Sequence, residues 1–598
     1  MSQEKKALLG RISVGMSLLM LIIALGAFLR FSHFPDWLHF ELDQARDARV
    51  VDDALFGGPG DLTLLGMKAG GTSLRLGPGF YYLQYLSGLL FGPTPVGMAT
   101  FMPILSVLSI PLFFLFARRY FSERLSLGLT LLFSVSAFLT MYGRFAWNPN
   151  PIPFFALLGF YALLRSVEPE ARHAGRWFVL AAFAIGFSTH LHFLAFLTLP
   201  VVTAAFLLIR RPRFPWKVWT VALAAGLFFY VPVVLNEIDT GGANSKAFIA
   251  AVTNKSSQGQ HSLAGKLVKD TTEHALGYMV VASGYEGGGF YSFGNTSSQD
   301  GSFVTCNSAC MRGLKYGILA LVIFVSSLVS LGYLIRNEKN RRKSDVLLLS
   351  ILWFLVPFFV FLPLAYGFAP RFFLVTAPIP FLLLGFLSEA AGKLLPWKRF
   401  VILMTAVAIA TLACSNLYRL TKRFEQLGRA GTESVRIAPD RILKELTRVT
   451  LGQQSTIVAY LKSRSDEHGY PVYMFSEPQH RRALKYLLDR SGVENGVLGF
   501  DGIYREGIYV TILRTQSDLS GATKKYLDKY DTIDTREFGT LTLIEFRPKP
   551  EAIQDERQIF DTSTTKTTAA LPRYTWREWW QRQNDTGNDT ADEEDDGN

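Results

Sequence analysis

The residues best suited to chemistry lie in the segment LDQARDA, directly after the first apolar run. Asp43, Arg46 and Asp47 stand there at helical spacing, so their side chains share one face of a helix. A carboxylate beside a guanidinium at a membrane surface can act as a general base toward an acceptor hydroxyl. The same spacing also fits the cap and the ion pair of an ordinary surface helix, and the residues alone leave both interpretations open.

The segment LRLGPGFYYLQYL supplies a second group of candidates. Arg75 is its cation, and the glycines that follow allow another group to approach the backbone closely. Tyr81 and Tyr82 predict an amphipathic belt at the depth of the lipid headgroups. A plain interfacial helix would explain the same residues.

Three short polar junctions carry the remaining candidates. Each joins two apolar runs on the side of the membrane where basic residues are otherwise rare. Arg and His side chains gathered at a membrane surface suit the binding of a lipid phosphate or pyrophosphate. The candidates are Arg144 and Asn148 of YGRFAWNPNP, His190 and His192 of STHLHF, and Tyr366 and Arg371 of AYGFAPRFF.

The elements that must position these residues are apolar runs in the first two thirds of the chain. Of 598 residues, 49% are hydrophobic, and runs near the length that crosses a bilayer recur. The stretch 177–209 is too long for one span and is expected to break near residues 188–192. About eleven transmembrane helices are predicted, at residues 12–31, 97–117, 124–142, 150–165, 177–190, 192–210, 216–235, 313–335, 345–363, 371–390 and 397–415.

The basic residues predict the orientation of these helices. They cluster in the gaps between alternate runs, which accounts for the net charge of +12 without any nucleic-acid partner. All clusters fall on the cytoplasmic side if residues 77–92 form a juxtamembrane or re-entrant helix that does not cross the bilayer. The N-terminus is then cytoplasmic, and the chain after residue 416 is extracytoplasmic.

The same pattern divides the chain into three parts. A mainly helical membrane domain is predicted at 1–420, with large outer loops at 32–96 and 236–312. Residues 421–550 predict a small extracytoplasmic α/β domain, with strands at 470–476, 507–514 and 541–546 and helices at 478–490 and 522–529. The polar and then acidic residues 551–598 predict a disordered tail.

The ordered set of motifs resembles the GT-C membrane glycosyltransferases, especially the protein O-mannosyltransferase and aminoarabinose-transferase branch (glycosyltransferase family 39 type). The resemblance implies a multi-pass protein of the inner or plasma membrane that takes a sugar from a polyprenyl-phosphate lipid. The acceptor would be an extracytoplasmic protein, glycan or lipid, as in protein glycosylation or cell-envelope modification. The motifs are LDQARDA, GPGFYYLQYLSGLLFG, RFAWNPNPIPFFALLGFYALLR, GFSTHLHFLAFLTLP, VPVVLNEI and APRFFLVTAPIPFLLLGFL.

The resemblance also implies roles for individual residues. Asp43 would be the catalytic carboxylate, acting with inversion at the anomeric carbon, and Arg46 would hold the donor phosphate. Arg75, His192 and Arg371 match cationic positions of the family, and Asp47, Tyr81, Tyr82, Arg144, Asn148, His190 and Tyr366 are further substrate-binding candidates.

Two departures from the family bear on cofactors. Gln44 follows Asp43 where the mannosyltransferases carry an acidic pair, and Asn148 stands where some relatives carry an acid. The chain has no DxD motif at this point, so no obligatory cofactor is expected and a divalent metal is not indicated.

Two other classes of protein were weighed. A transporter or lipid flippase would explain the many spans and the intramembrane histidines. It would not explain a long first outer loop with an acidic helix, nor a separate outer domain. A non-enzymatic assembly or sensing protein would use the outer domain as a binding module.

Overall fold

Long apolar helices form the body of the molecule. The computed structural model describes residues 3–70, 72–168, 171–253, 262–287, 308–438, 440–558 and 573–589. Each of the eleven predicted apolar runs lies on one helical segment or on two or three in succession. Before the C-terminal domain the helices are α1 (Gln3–Phe31), α2 (Leu42–Gly57), α3 (Gly79–Phe91), α4 (Pro95–Ala99), α5 (Phe101–Ala117), α6 (Glu123–Val135), α7 (Ala137–Tyr142), α8 (Ile152–Ser166), α9 (Ala174–Ser188), α10 (Phe193–Arg210), α11 (Trp216–Leu227), α12 (Val231–Asp239), α13 (Ala243–Thr253), α14 (Leu263–Ser283), α15 (Ser308–Asn337), α16 (Arg341–Phe361), α17 (Ile379–Leu394) and α18 (Lys398–Arg429).

Several of these helices are suited to a bilayer. Among the described residues, seven helices are long and apolar enough to cross a membrane, and α8 and α9 are shorter apolar helices. The predicted fold class, a multi-pass helical protein with a small α/β domain, is therefore confirmed. The number of eleven spans stays a prediction, because α6, α7 and α17 are short by themselves.

Basic residues from three of the gaps between apolar runs meet at one carboxylate. Arg165 and Arg342 each pair with Glu168 at 2.9 Å, and Arg119 also contacts this carboxylate. The three arginines come from different gaps between apolar runs. Their convergence supports the prediction that these gaps lie on one side of the membrane.

The predicted break between residues 177 and 209 is present. α9 ends at Ser188 and α10 begins at Phe193. His192 caps α10, and its Nδ1 accepts the backbone N–H of Leu194 at 3.2 Å. Polar groups freed by such a break need partners inside the protein, and the side chain at the cap supplies one.

Two further helices, α3 and α14, lie beside the apolar runs in the sequence. α3 is the helix predicted at residues 77–92, and its 13 residues are too few to cross the bilayer core. It packs against α2 and α4 and leaves Leu86, Leu89 and Leu90 exposed, as expected at a membrane surface. The sequence predicts no helix where α14 lies, because charged residues interrupt its apolar face.

The C-terminal domain is built on a five-stranded sheet in the order β2-β1-β3-β5-β4. β1, β2 and β3 run parallel, and β5 is antiparallel to both β3 and β4. The elements are α19 (Leu451–His468), β1 (Val472–Ser476), α20 (Pro478–Arg490), β2 (Asn495–Val497), β3 (Ile508–Arg514), α21 (Leu519–Thr523), β4 (Tyr530–Phe538) and β5 (Leu541–Pro548).

The predicted elements of this domain are found, with differences at its edges. Three strands and the helix at 478–490 lie where the apolar pattern places them. The range 522–529, predicted as one helix, instead holds the end of α21, one 3-10 turn and a further turn that leads into β4. β4 escapes the pattern because its side chains are almost all exposed, and β2 because it has only 3 residues.

The domain rests on the first long loop, residues 32–96. α20 packs along α2, and Tyr486 donates to the Asp52 carboxylate at 2.6 Å. Gln454 of α19 donates to the carbonyl of Phe40 at 2.9 Å. The domain therefore holds α2 in place from the side opposite the helix bundle.

The chain after residue 572 requires a correction. The sequence predicts disorder for all of 551–598, but α22 (Trp576–Asp589) is helical and Thr575 forms an antiparallel bridge with Thr63 of the first long loop. We call residues 573–584 the C-terminal arm. Polar composition misleads here because the arm is held by backbone pairing and aromatic contacts, which need no apolar run.

Candidate active site

Asp43 lies in the first turn of α2, with a different partner for each carboxylate oxygen. Oδ1 accepts from Arg46 Nη1 at 2.9 Å, and Oδ2 accepts from the indole Nε1 of Trp147 at 3.1 Å. The side chain is 35% exposed, so a substrate can reach it. Gln44 accepts the Glu41 N–H at 3.1 Å and so caps the helix. The cap and the ion pair coexist with an accessible carboxylate, which can act as a base.

Asp47, one turn farther along α2, is fully buried. Its Oδ1 accepts from Arg46 Nε at 2.8 Å and from the Tyr81 hydroxyl at 3.2 Å. Burial raises the pKa of Asp47 to about 6, although the charge of Arg46 opposes the shift. Arg46 is thus fixed between two carboxylates, one accessible and one buried.

Arg75 reaches the same region from the segment before α3. Its Nη1 donates to the carbonyl of Gly66 at 3.2 Å, and its buried Nε has no partner among the described residues. Burial and then the nearby charge of Arg573 lower the pKa of Arg75 to about 10. Arg46, Arg75 and Arg573 all lie within electrostatic reach of the Tyr81 hydroxyl. The cluster therefore carries three guanidinium groups around one buried tyrosine.

Arg371 and His192 lie beyond Trp147. The Arg371 guanidinium stands 5.3 Å from the centroid of the Trp147 ring, and His192 lies 6.0 Å from the ring of Phe372. The role of His192 in binding the donor phosphate stays a prediction. With Nδ1 accepting a backbone N–H, the ring proton is on Nε2, which can still donate a hydrogen bond.

Arg144 and Asn148 hold the junctions together. Arg144 donates to the carbonyls of Leu29 and Arg30 at 2.8 and 2.9 Å, and so closes the end of α1. Asn148 donates to the carbonyl of Leu191 at 2.5 Å, at the break before α10. Both side chains are buried. Their contacts position Trp147, which stands between them in sequence.

The other candidates from the sequence contact protein groups. His190 is fully buried, and a Cβ added at Gly77 would lie 2.0 Å from its Nδ1. The close approach predicted for the Gly77 segment is therefore an approach to His190. The Tyr82 hydroxyl donates to the carbonyl of Thr63 at 3.2 Å. Tyr366 lies beside Gly265 at the start of α14.

A cavity of about 180 Å³ opens beside Asp43, between the first long loop and the C-terminal domain. The indole of Trp147 forms one wall, and polar side chains of the domain form another. This mixture of an aromatic face and polar groups suits a hydroxyl-bearing ligand. The lining includes His39, Glu41, Asp43, Phe145, Trp147, Lys444, Glu445, Gln479 and His480.

The rim of this cavity is stiffened by an ion-pair network. Arg423 of α18 donates to Asp440 and to Glu445, each at 2.7 Å, and Arg448 contacts both carboxylates. His39 of the first long loop pairs with Glu445 at 3.2 Å. Burial alone would raise the pKa of Glu445, but the charges of these partners hold it below its usual range. The network ties loop 440–448 to the loop that carries Asp43.

A second, apolar cavity of about 350 Å³ lies on the other side of Arg75. Arg75 lines it together with Gly77, so a charged group and an apolar wall share one site. The apolar wall consists of Leu74, Leu76, Phe193, Phe196, Val233, Phe248 and Ile249.

Metal binding has no support in the described part of the chain. No group of three or more His, Cys, Asp or Glu residues there is arranged to hold a metal ion. The absence of an obligatory cofactor stays a prediction from the sequence.

Two functional candidates were missed from the sequence. Trp147 stands in RFAWNPNP, and its indole N–H is a hydrogen-bond donor at a junction that already holds candidate residues. That donor was the available signal that Trp147 could bind a carboxylate. Arg573 precedes Thr575-x-x-Glu578, a pattern typical of a helix N-terminus and thus a signal of order in the tail.

Comparison with known proteins places this geometry in a context. The family model described as dolichyl-phosphate-mannose-protein mannosyltransferase matches residues 76–235. The apo structure of ArnT from Cupriavidus metallidurans aligns with a TM-score of 0.50 and 11% identity, over 90% of this chain and 98% of that chain. The chain has the GT-C fold. ArnT bound to undecaprenyl phosphate gives a TM-score of 0.52 and 11% identity, over 91% and 99% of the two chains. No curated protein sequence matches the chain.

The GT-C fold accounts for the order of the candidate residues along the chain. The matched segment contains Trp147 and His192, whereas Asp43 and Arg46 precede it. Hydrogen bonds join the two parts: Trp147 donates to Asp43, and Tyr81 donates to Asp47. These contacts hold the first long loop against the segment that the family model matches.

Proposed function

We propose that this protein is a membrane glycosyltransferase that moves a sugar from a polyprenyl-phosphate lipid to a hydroxyl group outside the cytoplasm. One observation carries the proposal: the accessible carboxylate of Asp43 lies between a cluster of arginines and an open polar cavity. The match to the mannosyltransferase family model and the fold shared with ArnT support the same activity.

The donor phosphate binds at the arginine cluster. Arg46 already interacts with two carboxylates, so its guanidinium is held in one orientation. The buried Nε of Arg75 is a hydrogen-bond donor without a partner in the part of the chain that the structure describes. Preorganised cations of this kind stabilise the negative charge that develops on a departing phosphate. The apolar cavity beside Arg75 suits the first isoprene units of the lipid.

The acceptor enters the cavity on the other side of Asp43. Asp43 takes the proton from the acceptor hydroxyl, and the oxygen forms a bond to the anomeric carbon. The bond between that carbon and the phosphate oxygen breaks, with inversion, and the electron pair stays on the polyprenyl phosphate. The products are the glycosylated acceptor, the lipid phosphate and a protonated Asp43, which returns its proton to solvent.

Trp147 and Arg371 assist this step without transferring a proton. The Trp147 N–H fixes one oxygen of Asp43. The guanidinium of Arg371 stacks on the ring of Trp147 and adds positive charge beside it. A fixed base and surrounding cations reduce the reorganisation required to reach the transition state.

The variant Asp43→Asn tests the proposal. Purified protein in proteoliposomes is supplied with a panel of radiolabelled polyprenyl-phosphate monosaccharides and a membrane extract as the source of acceptors. We expect transfer of at least one sugar by the wild-type protein and a loss of about 100-fold or more in the variant, since a general base is removed.

Asp53→Asn is the matched control, because Asp53 is an exposed carboxylate on the same helix. It should transfer sugar at the wild-type rate. Equal activity of Asp43→Asn and wild type would contradict the proposed mechanism. A flippase would instead move the labelled lipid between leaflets in both variants without releasing its sugar.

A further inference from the structure

The C-terminal arm is attached to the first long loop by backbone pairing. The N–H of Leu64 donates to the carbonyl of Tyr574 at 2.8 Å, and the N–H of Trp576 donates to the carbonyl of Leu62 at 3.0 Å. These bonds flank the bridge between Thr63 and Thr575. Because this pairing fixes the two segments against each other, residue 573 has a defined position relative to the first long loop.

Side chains add to this attachment. The hydroxyl of Thr575 accepts the N–H of Glu578 at 3.1 Å, and the Glu578 carboxylate accepts the N–H of Thr575 at 2.8 Å, which together form a capping box. The indole of Trp576 donates to the Tyr82 hydroxyl at 2.9 Å. Arg577 pairs with Asp61 at 3.2 Å. The C-terminal arm is therefore packed as an ordered element against the region around α3.

Arg573 is the residue of the arm that faces the arginine cluster. Its guanidinium lies 6.0 Å from the ring centroid of Tyr81, whose hydroxyl donates to Asp47. It also lies near enough to Arg75 to act on the ionisation of that side chain. Tyr81 is thus the common neighbour of the arm and of α2.

Around the Tyr81 hydroxyl, positive charges outnumber negative ones, and the nearby carboxylate of Glu237 is bound to the N–H groups of Asn244 and Ser245. Arg46, Arg75 and Arg573 carry three positive charges, whereas Asp43 and Asp47 carry two negative charges at most. Like charges held close together are unfavourable unless an anion joins them. A phosphodiester carries one negative charge and accepts several hydrogen bonds from guanidinium groups.

We propose that Arg573 binds the donor phosphate together with Arg46 and Arg75, so that the C-terminal arm completes the donor site. The inference rests on the proposed glycosyltransferase function. The tail of the chain, far in sequence from the membrane domain, thereby supplies a donor-binding residue.

The variants Arg573→Ala and Arg573→Lys test this proposal. For Arg573→Ala we expect the donor KM to rise about 10-fold or more, because a hydrogen bond between charged groups is lost. The acceptor KM should stay unchanged. Arg573→Lys keeps the charge and should recover part of the loss, which a purely structural role for the side chain would not produce.

Two controls separate binding from folding of the arm. Arg582→Ala removes a guanidinium from the same arm that stacks on Tyr574, at 4.7 Å, and should leave the donor KM unchanged. Thr575→Ala weakens the capping box without changing any charge. If Thr575→Ala raised the donor KM as much as Arg573→Ala did, the effect would belong to the attachment of the arm and the proposal would be overturned.

Binding of undecaprenyl phosphate, measured by its effect on the melting temperature of the purified protein, gives a readout that does not depend on turnover. We expect weaker binding in Arg573→Ala than in wild type, and equal binding overturns the proposal. Failure of the wild-type protein to transfer any sugar contradicts the glycosyltransferase function instead. The two failures are therefore distinguishable.

Discussion

Asp43 depends on a neighbour that contributes no charge. The Trp147 indole donates to Oδ2 and leaves Oδ1 to Arg46, so the carboxylate keeps one orientation while it stays accessible. Such an arrangement is common for a general base, where a second group orients the first. The chemistry therefore extends one residue beyond the charged set that the sequence indicates.

Trp147→Phe should lower kcat by about 10-fold and leave the donor KM nearly unchanged. The substitution keeps the aromatic wall and removes only the hydrogen bond to a charged oxygen. Steady-state kinetics in proteoliposomes give both parameters. Trp37→Phe, at an aromatic contact with Phe424, is the matched control and should behave as wild type. A rise in donor KM without a fall in kcat would contradict the orienting role.

Asp47 gives the site a dependence on pH. Its pKa in the folded protein is about 6, above the ordinary value of 3.8, so the folded state binds this proton more tightly than the unfolded state does. The associated stability is present at low pH and is lost as pH rises through about 6. Protonation also removes a negative charge from beside Arg46, which leaves the cluster more positive toward a phosphodiester.

We expect the donor KM to fall several-fold as the pH is lowered from about 7.5 to about 5.5, because Asp47 takes up a proton in this interval. The donor phosphodiester stays charged throughout. Measurement of KM at several pH values checks the prediction, and Asp47→Asn should have a donor KM that no longer varies over this range. A donor KM with the same pH dependence in both proteins would show that another group titrates.

At the scale of elements, the segment before α3 depends on a close packing contact. Gly77 faces the buried ring of His190, and an added Cβ would lie 2.0 Å from Nδ1. The ring of His190 is fully buried and acts as a packing surface. The contact sets the position of α3 and, through the chain, of Arg75.

Gly77→Ala should destabilise the protein by roughly 1–3 kcal/mol, the usual range for overpacking at a tight contact. Gly70→Ala is the matched control, because nothing lies within 4 Å of a Cβ at that position. Thermal unfolding of the purified proteins compares the two. If Gly77→Ala and the control had the same melting temperature, the segment before α3 would be able to move away from His190 without loss of stability, and the prediction would be wrong.

At the scale of the whole molecule, the candidate residues Asp43, His192 and Arg371 meet around Trp147 at one end of the helix bundle. The C-terminal domain, the first long loop and the junctions near Trp147 and His192 lie there together. The basic residues around Glu168 come from gaps between apolar runs other than the junctions that carry Trp147 and His192. We propose, from the positive-inside rule, that the end with Asp43 is extracytoplasmic.

Cysteine labelling in intact cells checks this orientation. In a background without Cys306, Cys310 and Cys414, the variants Asp53→Cys and Lys462→Cys should react with a membrane-impermeant maleimide from outside. Arg342→Cys should react only after permeabilisation, because it lies with the basic cluster. Labelling of positions 53 and 342 from the same side would contradict the proposed topology.

The sequence by itself determined the membrane-spanning class, the break before His192 and most of the sheet. These features follow from apolar runs and strand patterns, which are local properties of the chain. α14, β4 and the C-terminal arm were not predictable in this way, because their surfaces are polar and their partners are distant in sequence.

Only the tertiary structure decided how the candidate residues divide into groups. It brought Asp43, Arg46 and Trp147 together and used Arg144 and His190 for packing. The spacing of charges along the chain says which side chains share a face, but not which distant segments meet that face. Contacts such as the one between Arg573 and Tyr81 span almost the whole chain, so only the folded molecule reveals them.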